Sequence, residues 1–419
     1  MNKQNKKLKV LISAYACEPN KGSEPGVGWN WAKLIAEFSE TWVLTRLNNK
    51  EVIEKELKEN PIPSLHFVYV DLPTWFKFWK RGQRGIYLYY YLWQVKAYIY
   101  SLKLHCSITF DLVHHITFGS CWMPAFLSLL PVEFIWGPIG GAQRAPLSLM
   151  KHFRFRNLLC ELFRIVGQRI FWFDPFYWLT IKRSSAILVC NKDTVKFFPR
   201  KYLSKIILIS QMGTEFIKKS EESFKYKRDD FIVASVGRLV HWKGFDLAIK
   251  SFAIFHSKYP NSKFVIVGEG SEHNNLKALV KKYRLRNVVS FVGQQSLRQV
   301  MVYLTKAEVF LFPSLHDGNP KVVLEALSAG MPVVCVDLGG PAEMVTEECG
   351  IKVRPVTIDQ TIKGLADALL KLANNPDLRK KMGEAGRKRI AEYYSWDKKG
   401  EFIRKLYESV LNNESTSCP

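Results

Sequence analysis

Short runs of apolar residues alternate along the chain with longer segments in which apolar positions recur every three or four residues. The short runs are typical of buried strands and the longer segments of amphipathic helices. In the first half we predict strands at 9–15, 41–45, 65–70, 111–116, 134–136, 186–190 and 206–209. A glycine-containing loop follows the first strand, and we predict a helix after it, from about 28 to 40. This alternation predicts parallel sheets covered by helices on both faces.

The same alternation begins again after a polar, charged stretch at 218–230, which we interpret as a linker. The strands predicted there are 231–236, 264–267, 288–292, 309–312 and 333–336. The expected fold class is α/β, with two Rossmann-like, doubly wound domains at 1–220 and 221–396 that face a central cleft. Ligands of such sheets bind at the carboxyl ends of the strands.

The charge of the chain is strongly basic, with a formal net charge of +23 and most of the excess in residues 1–220. Such a field favours anionic partners, although a solvated surface is the simpler interpretation of any single lysine. Eight cysteines without a C-x-x-C pair are typical of reduced thiols in a cytoplasmic protein. No signature of a nucleic-acid-binding module is present, so we expect no nucleic-acid partner.

Aromatic residues interleave with cations at 75–81 and 151–156, and more aromatics follow at 170–173 and 176–178. A helix that lies in a bilayer interface has Trp and Phe beside Lys and Arg. Each cation near an anionic surface contributes about 1 kcal/mol. We therefore predict peripheral attachment to an anionic membrane surface, at the inner face of the cell membrane. The alternative is that these aromatics belong to the core.

The densest chemical signal lies at 312–334, where an apolar strand leads into a glycine-containing loop and a helix predicted to begin near Pro320. The first turn of a helix offers unpaired N–H groups and a partial positive charge to phosphate. Asp317 in the loop can accept hydrogen bonds from sugar hydroxyls, and Glu325 can chelate the two hydroxyls of a ribose. The alternative is a helix-capping Asp and a solvated Glu.

Two cations, Arg238 and Lys243, lie in a second glycine-flanked segment directly after the strand at 231–236. A guanidinium binds two phosphate oxygens at once, and an ammonium adds a point charge. Together they can stabilise the negative charge of a phosphate group in place of a metal ion. The alternative is a pair of surface cations.

With these segments the chain resembles family 4 of the glycosyltransferases, which have the GT-B fold. The positions that match the family's signature around the acidic loop are Pro313, Ser314, Gly318, Glu325, Ala326, Ala329, Gly330, Pro332, Val333 and Val334. Asp317 stands where glutamate is commonest in the family, but the carboxylate is kept, so we expect the sugar contact to survive. The resemblance covers about 8–411 and is strongest from 231 to 396.

The resemblance implies a retaining, metal-independent hexosyltransferase without a cofactor. It would move a sugar from a nucleotide diphosphate sugar to a saccharide or lipid-linked hydroxyl in exopolysaccharide, capsule or lipopolysaccharide synthesis. It implies catalytic roles for Arg238, Lys243 and Asp317, and a last helix, at 397–419, that packs back on the first domain. The donor-binding residues that it implies are Gly237, Gly268, Gly270, Gln294, Gly318, Asn319, Pro320 and Glu325.

In the first domain the resemblance places the acceptor and the donor phosphate at glycine loops that follow strands. The residues expected there are Glu18, Glu24, Gly26, Gly28, Gly140 and Gly141. A catalytic histidine of the family corresponds to His114 or to His115, and the sequence leaves open which of them enters the active site. For the glutamates the alternative is a solvated loop acid, and for the histidines a buried histidine with its hydrogen bonds satisfied.

Two other functions remain open. One is a nucleotide-sugar 2-epimerase of GT-B fold, against which the arrangement of Asp317 and Glu325 argues. The other is a non-catalytic, basic adaptor for membranes or nucleic acid. The presence of Arg238, Lys243 and Glu325 argues against an adaptor.

Overall fold

The computed structural model describes residues 7–80, 82, 84–150, 153–214 and 230–412. The contacts within the chain divide it into two compact units. Unit 1 comprises Met1–Ala142, Arg164–Gln211 and Lys399–Pro419, and unit 2 comprises Gln143–Phe163 and Met212–Lys398. The linker predicted at 218–230 lies outside the described residues except for Asp230, and so does the predicted boundary between 220 and 221.

Unit 1 contains a parallel sheet of seven strands. They are β1 (Leu8–Ala14), β2 (Ser39–Arg46), β3 (Leu65–Val70), β4 (Leu112–Thr117), β5 (Glu133–Ile139), β6 (Ala186–Val189) and β7 (Ile206–Leu208). Their order in the sheet is β3-β2-β1-β4-β5-β6-β7. Every residue of β4 and of β6 is buried, as expected for parallel strands with helices on both faces. The seven strands predicted from the apolar runs are confirmed, with ends that differ by a few residues.

Unit 2 contains a second parallel sheet, of six strands. They are β8 (Phe231–Val236), β9 (Ser262–Val267), β10 (Val289–Phe291), β11 (Val309–Phe312), β12 (Val333–Val336) and β13 (Gly350–Val353). Their order is β10-β9-β8-β11-β12-β13. The five predicted strands are confirmed, but β13 was not predicted. It lies at the edge of the sheet, and Gly350 and Lys352 interrupt its short apolar run.

Helices connect the strands. In the first part of the chain they are α1 (Ser23–Ala36), α2 (Lys50–Glu59), α3 (Ile86–Ile108), α4 (Leu147–Met150), α5 (Phe155–Ile170), α6 (Pro175–Arg183) and α7 (Lys192–Val195). The others are α8 (Phe245–Lys258), α9 (His273–Lys282), α10 (Leu297–Lys306), α11 (Lys321–Ala329), α12 (Gly339–Met344), α13 (Ile358–Ala373), α14 (Pro376–Arg389) and α15 (Trp396–Leu411). No helix of the described residues is long and apolar enough to span a bilayer.

The first helix begins earlier than the sequence predicted. Helix α1 starts at Ser23, whereas the prediction placed its start near Gly28 and its end near 40. Glu24 and Pro25 occupy its first turn, where an acidic side chain and a proline are both favourable. The glycines of the predicted loop, Gly26 and Gly28, therefore lie inside a helix.

Candidate active site

Two loops of unit 2 meet at the carboxyl ends of β8 and β11, which are neighbours in the sheet. The first loop, 237–244, follows β8, and the second, 313–320, follows β11. The backbone N–H of Leu315 donates to the carbonyl of Trp242 at 2.8 Å, and the Ser314 hydroxyl donates to the same carbonyl at 3.3 Å. These bonds hold the two predicted binding segments against each other.

Two glycines allow the backbone segments around this site to approach one another closely. Gly244 has a φ of +68°, and a Cβ there would lie 2.1 Å from the carbonyl oxygen of Pro313. Gly268, at the end of β9, has a φ of +133°, and a Cβ there would lie 2.0 Å from the carbonyl oxygen of Gly237. A side chain at either position would be strained by its φ and would also collide with backbone.

Lys243 and Asp317 form an ion pair across the two loops. The Lys243 ammonium bonds to Oδ2 of Asp317, and the Ser314 hydroxyl lies 3.4 Å from the same oxygen. The two charged side chains are only 14% and 19% exposed, so their charges are partly shielded from water. The cation predicted to hold phosphate and the carboxylate predicted to hold a sugar are therefore in direct contact.

Helix α11 begins directly after the second loop. It starts at Lys321, and its N-cap is Pro320, which provides no side-chain cap. The N–H of Val323 donates to the carbonyl of Pro320 at 3.1 Å, so the N–H groups of Lys321 and Val322 are those that the first turn can offer to an anion. Glu325 is 7% exposed and pairs with the Lys321 ammonium at 3.1 Å. The alternative interpretation required Asp317 to cap the helix and Glu325 to be solvated. Neither is the case, because the N-cap is Pro320 and Glu325 is buried.

Other predicted donor residues differ in their surroundings. The carbonyl of Asp317 accepts from the N–H of Gly340 at 2.8 Å, which anchors the second loop to the start of α12. Asn319 is buried, whereas Arg238 and Gln294 are exposed. Gln294 follows β10, which is separated from β8 by β9, so the structure does not bring it beside the ion pair. The Cζ atom of Arg238 lies 6.0 Å from the centre of the Trp242 ring.

Three residues of this site were not identified from the sequence. The buried carboxylate of Glu161 lies 3.0 Å from Nε2 of His316 and 3.4 Å from Nε2 of His241. His241 belongs to the first loop and His316 to the second, so one carboxylate contacts both loops. His316 also stacks on Trp242, with 5.4 Å between ring centres. The histidines adjoin the predicted motifs, but no pattern along the chain points to Glu161.

In unit 1, a cavity of about 240 Å³ brings together Glu24, Gly140 and Gly141, three of the positions predicted for the acceptor. Oε1 of Glu24 accepts from the N–H of Gly119 at 2.7 Å. Burial raises the pKa of the Glu24 carboxyl, and the bond from Gly119 partly offsets this effect.

Glu18, Gly26 and Gly28 do not line that cavity. A Cβ on Gly26 would lie 2.0 Å from the carbonyl oxygen of Lys21, and one on Gly28 would lie 2.1 Å from that of Ala16. Both glycines therefore allow helix α1 to pack closely on the backbone that precedes it. The predicted roles of Glu18 in contacting the acceptor, and of Gly26 and Gly28 in the loop that faces the donor phosphate and the acceptor, stay predictions.

His114 and His115 are both buried. Nε2 of His114 donates to the carbonyl of Gly137 at 2.7 Å, so Nδ1 accepts from the hydroxyl of Tyr407 on α15, at 2.6 Å. Burial lowers the pKa of His114 to about 3 and that of His115 to about 4. Nε2 of His115 contacts the hydroxyl of Tyr90 at 3.0 Å. Both nitrogens of His114 are engaged within the protein, which favours the structural alternative for this residue.

Comparison with known proteins points to one class. Residues 216–389 match the family described as Glycosyl transferases group 1. An uncharacterized glycosyltransferase of Haemophilus influenzae is 32% identical over 58% of this chain and 65% of that protein. Sucrose-phosphate synthase from Thermosynechococcus elongatus aligns with 97% of this chain and 100% of its own, at a TM-score of 0.70 and 18% identity. Anabaena HepE, solved with UDP and glucose, aligns with 96% of this chain and 100% of its own, at a TM-score of 0.60 and 14% identity.

The predicted fold class is confirmed: the chain has two doubly wound α/β units of the GT-B type. The chain spans less than two thirds of the length of the curated relatives that it matches. The matched stretch, 216–389, includes both loops and the ion pair between Lys243 and Asp317. The similarity to group 1 glycosyl transferases therefore covers the part of unit 2 that carries this site.

Proposed function

We propose that this protein is a retaining glycosyltransferase that moves a sugar from a nucleoside diphosphate sugar to a hydroxyl group of an acceptor. The observation that carries the proposal is the contact between Lys243 and Asp317 beside the first turn of α11. This contact lies in the stretch similar to group 1 glycosyl transferases. A donor whose phosphate lies against Lys243 has its sugar within reach of Asp317.

The proposed chemistry uses charges that the unit already holds in place. Lys243, Arg238 and the N–H groups of the first turn of α11 stabilise the negative charge of the departing diphosphate. Asp317 accepts hydrogen bonds from the sugar hydroxyls, and Glu325 accepts them from the ribose. The acceptor oxygen attacks the anomeric carbon on the face that the phosphate leaves, and its proton passes to the leaving phosphate oxygen. The product thus keeps the anomeric configuration of the donor.

We propose that the reaction needs neither a metal ion nor a cofactor. In this proposal the Lys243 ammonium and the Arg238 guanidinium supply the positive charge that a divalent cation would otherwise place on the diphosphate. Among the described residues, no group of three or more His, Cys, Asp or Glu side chains is arranged to hold a metal ion.

We also propose that the acceptor is lipid-linked, as in the assembly of a surface polysaccharide, and that the protein acts at a cytoplasmic membrane surface. Helix α5 supports this part of the proposal because its pattern of buried and exposed side chains is the reverse of that of an ordinary surface helix. Its polar residues Glu161 and Gln168 are buried, whereas its apolar side chains are exposed. The exposed apolar residues, at helical spacing along one face, are Phe155, Leu159, Leu162, Phe163, Val166 and Ile170.

The exposed face of α5 has the chemistry of a bilayer interface. Arg154, Arg156 and Arg169 are exposed at or near the ends of the helix, and Phe173 extends the apolar face beyond its last turn. An apolar face flanked by cations binds anionic lipid, because the side chains enter the acyl region while the cations stay among the headgroups.

The membrane proposal predicts that replacing Phe163 and Ile170 by glutamine weakens binding to anionic vesicles by about tenfold or more per residue. The reason is that burying each of these side chains contributes roughly 1.5–3 kcal/mol. Cosedimentation with phosphatidylcholine vesicles, with and without phosphatidylglycerol, measures the effect. The control is Leu297→Gln, which changes an exposed apolar residue on α10 whose exposed fraction, 59%, is close to the 61% of Ile170. Equal vesicle binding by the wild-type protein, the two α5 variants and the control would contradict the proposal. A dimer that is detected by light scattering and that covers this face would also contradict it.

The transferase proposal is tested by a donor screen followed by product analysis. Thermal shift with UDP-, GDP- and TDP-sugars identifies the nucleotide, and NMR of the product formed with an acceptor identifies the anomer. We expect stabilisation by one nucleotide class and a product with the anomeric configuration of the donor. A free epimerised nucleotide sugar would favour the epimerase instead, an inverted anomer would exclude retention, and no stabilisation by any donor would favour the adaptor.

A further inference from the structure

The two loops of the candidate active site, 237–244 and 313–320, are contacted by a segment from a distant part of the chain. Residues 143–163 follow β5 of unit 1 along the chain but belong to unit 2. A Cβ on Gly318 would lie 2.7 Å from Nε2 of Gln143, and the Phe153 ring packs edge to face against His241, with 4.9 Å between ring centres. The segment therefore approaches both loops.

Glu161 brings a buried carboxylate from this segment to the loops. The residue is only 4% exposed, and its Oε1 atom lies 3.0 Å from Nε2 of His316 and 3.4 Å from Nε2 of His241. Because an ionised carboxylate only accepts hydrogen bonds, Nε2 of His316 is the donor. Nε2 of His241 is buried and makes no hydrogen bond to the described residues, so the carboxylate faces it as a charge.

The His316 ring connects this contact to the ion pair of the site. It stacks on Trp242, with 5.4 Å between ring centres and 20° between the ring planes. His316 directly precedes Asp317 in the chain, and Trp242 directly precedes Lys243. The ring that the Glu161 carboxylate orients, and the ring stacked on it, are therefore the sequence neighbours of the two paired charges.

Stability alone gives little reason for a carboxylate at this position. Taking a carboxylate out of water is costly, and a buried ion pair is often no more stabilising than apolar side chains of the same volume. A hydrogen bond, however, has a preferred direction, so it fixes the orientation of the His316 ring. The contact is therefore better suited to setting the geometry of the loops than to stabilising the fold.

We infer that Glu161 is a positioning residue of the candidate active site. By accepting from His316 and facing His241, its carboxylate keeps the two loops together. Lys243 and Asp317 are then in place before the donor binds. The inference rests on the proposed function and names a residue that preorganises the proposed donor site. If the loops are correctly arranged for only part of the time, the apparent dissociation constant rises in inverse proportion to that fraction.

The alternative is that Glu161 only stabilises the packing of residues 143–163 within unit 2. A change at Glu161 would then lower the free energy of unfolding and the fraction of binding-competent protein, but the folded protein would bind nucleotide with the wild-type dissociation constant. The loss of a positioning residue instead raises the dissociation constant of folded protein. Isothermal titration calorimetry separates the two cases, because it measures the competent fraction and the dissociation constant independently.

The experiment uses the full chain and the probes UDP, GDP and TDP. Calorimetry measures their dissociation constants, and urea unfolding establishes that each variant is folded. Hydrogen exchange without nucleotide measures how often the backbone of the two loops opens. The variants are Glu161→Ala, Glu161→Gln and His316→Phe, of which the last keeps a ring against Trp242 and removes the bond to Glu161.

The matched control is Glu308→Gln. The Glu308 carboxylate is also partly buried in unit 2, and it accepts from the N–H of Ile232 at 2.6 Å. Ile232 lies near the amino end of β8, whereas both loops follow the carboxyl ends of their strands. Glu308→Gln therefore changes a buried carboxylate of the same unit at the opposite end of the sheet.

We expect Glu161→Ala to raise the dissociation constant of the nucleotide that binds about tenfold, as for the loss of a hydrogen bond to a charged group, and to speed exchange in both loops. Glu161→Gln keeps an oxygen that accepts from His316, so it should restore part of the affinity. The double variant Glu161→Ala/His316→Phe should bind no more weakly than the weaker single variant, because both changes break the same contact. Glu308→Gln should bind as the wild type does.

Three outcomes would overturn the inference: a wild-type dissociation constant in Glu161→Ala, losses that add in the double variant, or unchanged exchange in the two loops. If the first of these occurs in a protein that binds a nucleotide, the transferase proposal still stands. A wild-type protein that binds none of the three nucleotides would overturn the transferase proposal instead. Hydrogen exchange would then decide by itself whether Glu161 holds the two loops together.

Discussion

Replacing Lys243 by alanine is expected to lower sugar transfer, measured as kcat/KM with the donor found in the screen, about 100- to 1,000-fold. Removing one preorganised charge or donor from a developing anion typically has an effect of this size. Here the loss has two parts. The ammonium no longer neutralises the diphosphate, and the Asp317 carboxylate that it pairs with is left as an uncompensated negative charge beside it.

The double variant Lys243→Ala/Asp317→Ala separates these two parts. If the uncompensated Asp317 carboxylate contributes to the loss of activity, Asp317→Ala lowers kcat/KM less in the Lys243→Ala background than in the wild type. Lys250→Ala is the matched control, because Lys250 pairs with Asp246 in the same unit and the two side chains are similarly shielded, at 18% and 25% exposed. Arg238→Ala is expected to lower activity in the same direction. Undiminished transfer in both Lys243→Ala and Arg238→Ala would refute the proposed role of the two cations.

Replacing Gly244 by alanine is expected to destabilise the protein by at least about 2 kcal/mol and to abolish stabilisation by the donor nucleotide. A side chain at a φ of +68° costs roughly 1–2 kcal/mol by itself. The added Cβ would also lie 2.1 Å from the carbonyl of Pro313, so the loops at 237–244 and 313–320 must move apart. Urea unfolding measures the first effect, and thermal shift with the nucleotide measures the second.

Gly82→Ala is the control for this prediction. Gly82 has a φ of +54°, and no atom of the other described residues lies within 4 Å of an added Cβ, so alanine there carries the backbone strain without a collision among the described residues. We expect it to cost about 1 kcal/mol and to leave nucleotide binding unchanged. Equal losses of stability in Gly244→Ala and Gly82→Ala would mean that the collision of the added Cβ with Pro313 does not destabilise the protein.

The strands of both sheets were predictable because parallel strands covered on both faces are continuous apolar runs. The runs at 231–236, 309–312 and 333–336 coincide with β8, β11 and β12. Strand β13 escaped prediction because an edge strand is less apolar. The start of α1 escaped because the glycines at 26 and 28 indicated a loop, whereas they fit a helix that packs closely on backbone.

The pairing of Lys243 with Asp317 could be anticipated in part. Each residue follows an apolar strand, and the carboxyl ends of parallel strands lie at one edge of a sheet. Their direct contact required that β8 and β11 be neighbours, although β9 and β10 lie between them in the chain. That adjacency depends on the order of the strands in the sheet, and the apolar pattern of a single sequence does not predict that order.

The sequence by itself determined the α/β class, the positions of most strands and the acidic and cationic segments that follow them. These depend on residues close together along the chain, whose spacing sets which face of a strand or helix is buried. Only the tertiary structure decided that Glu161 contacts both loops, that both nitrogens of His114 are engaged, and that the Gln168 amide donates to the carbonyl of Gly141. These contacts join residues far apart in the chain, where burial and hydrogen-bond geometry, and not local pattern, determine what each side chain does.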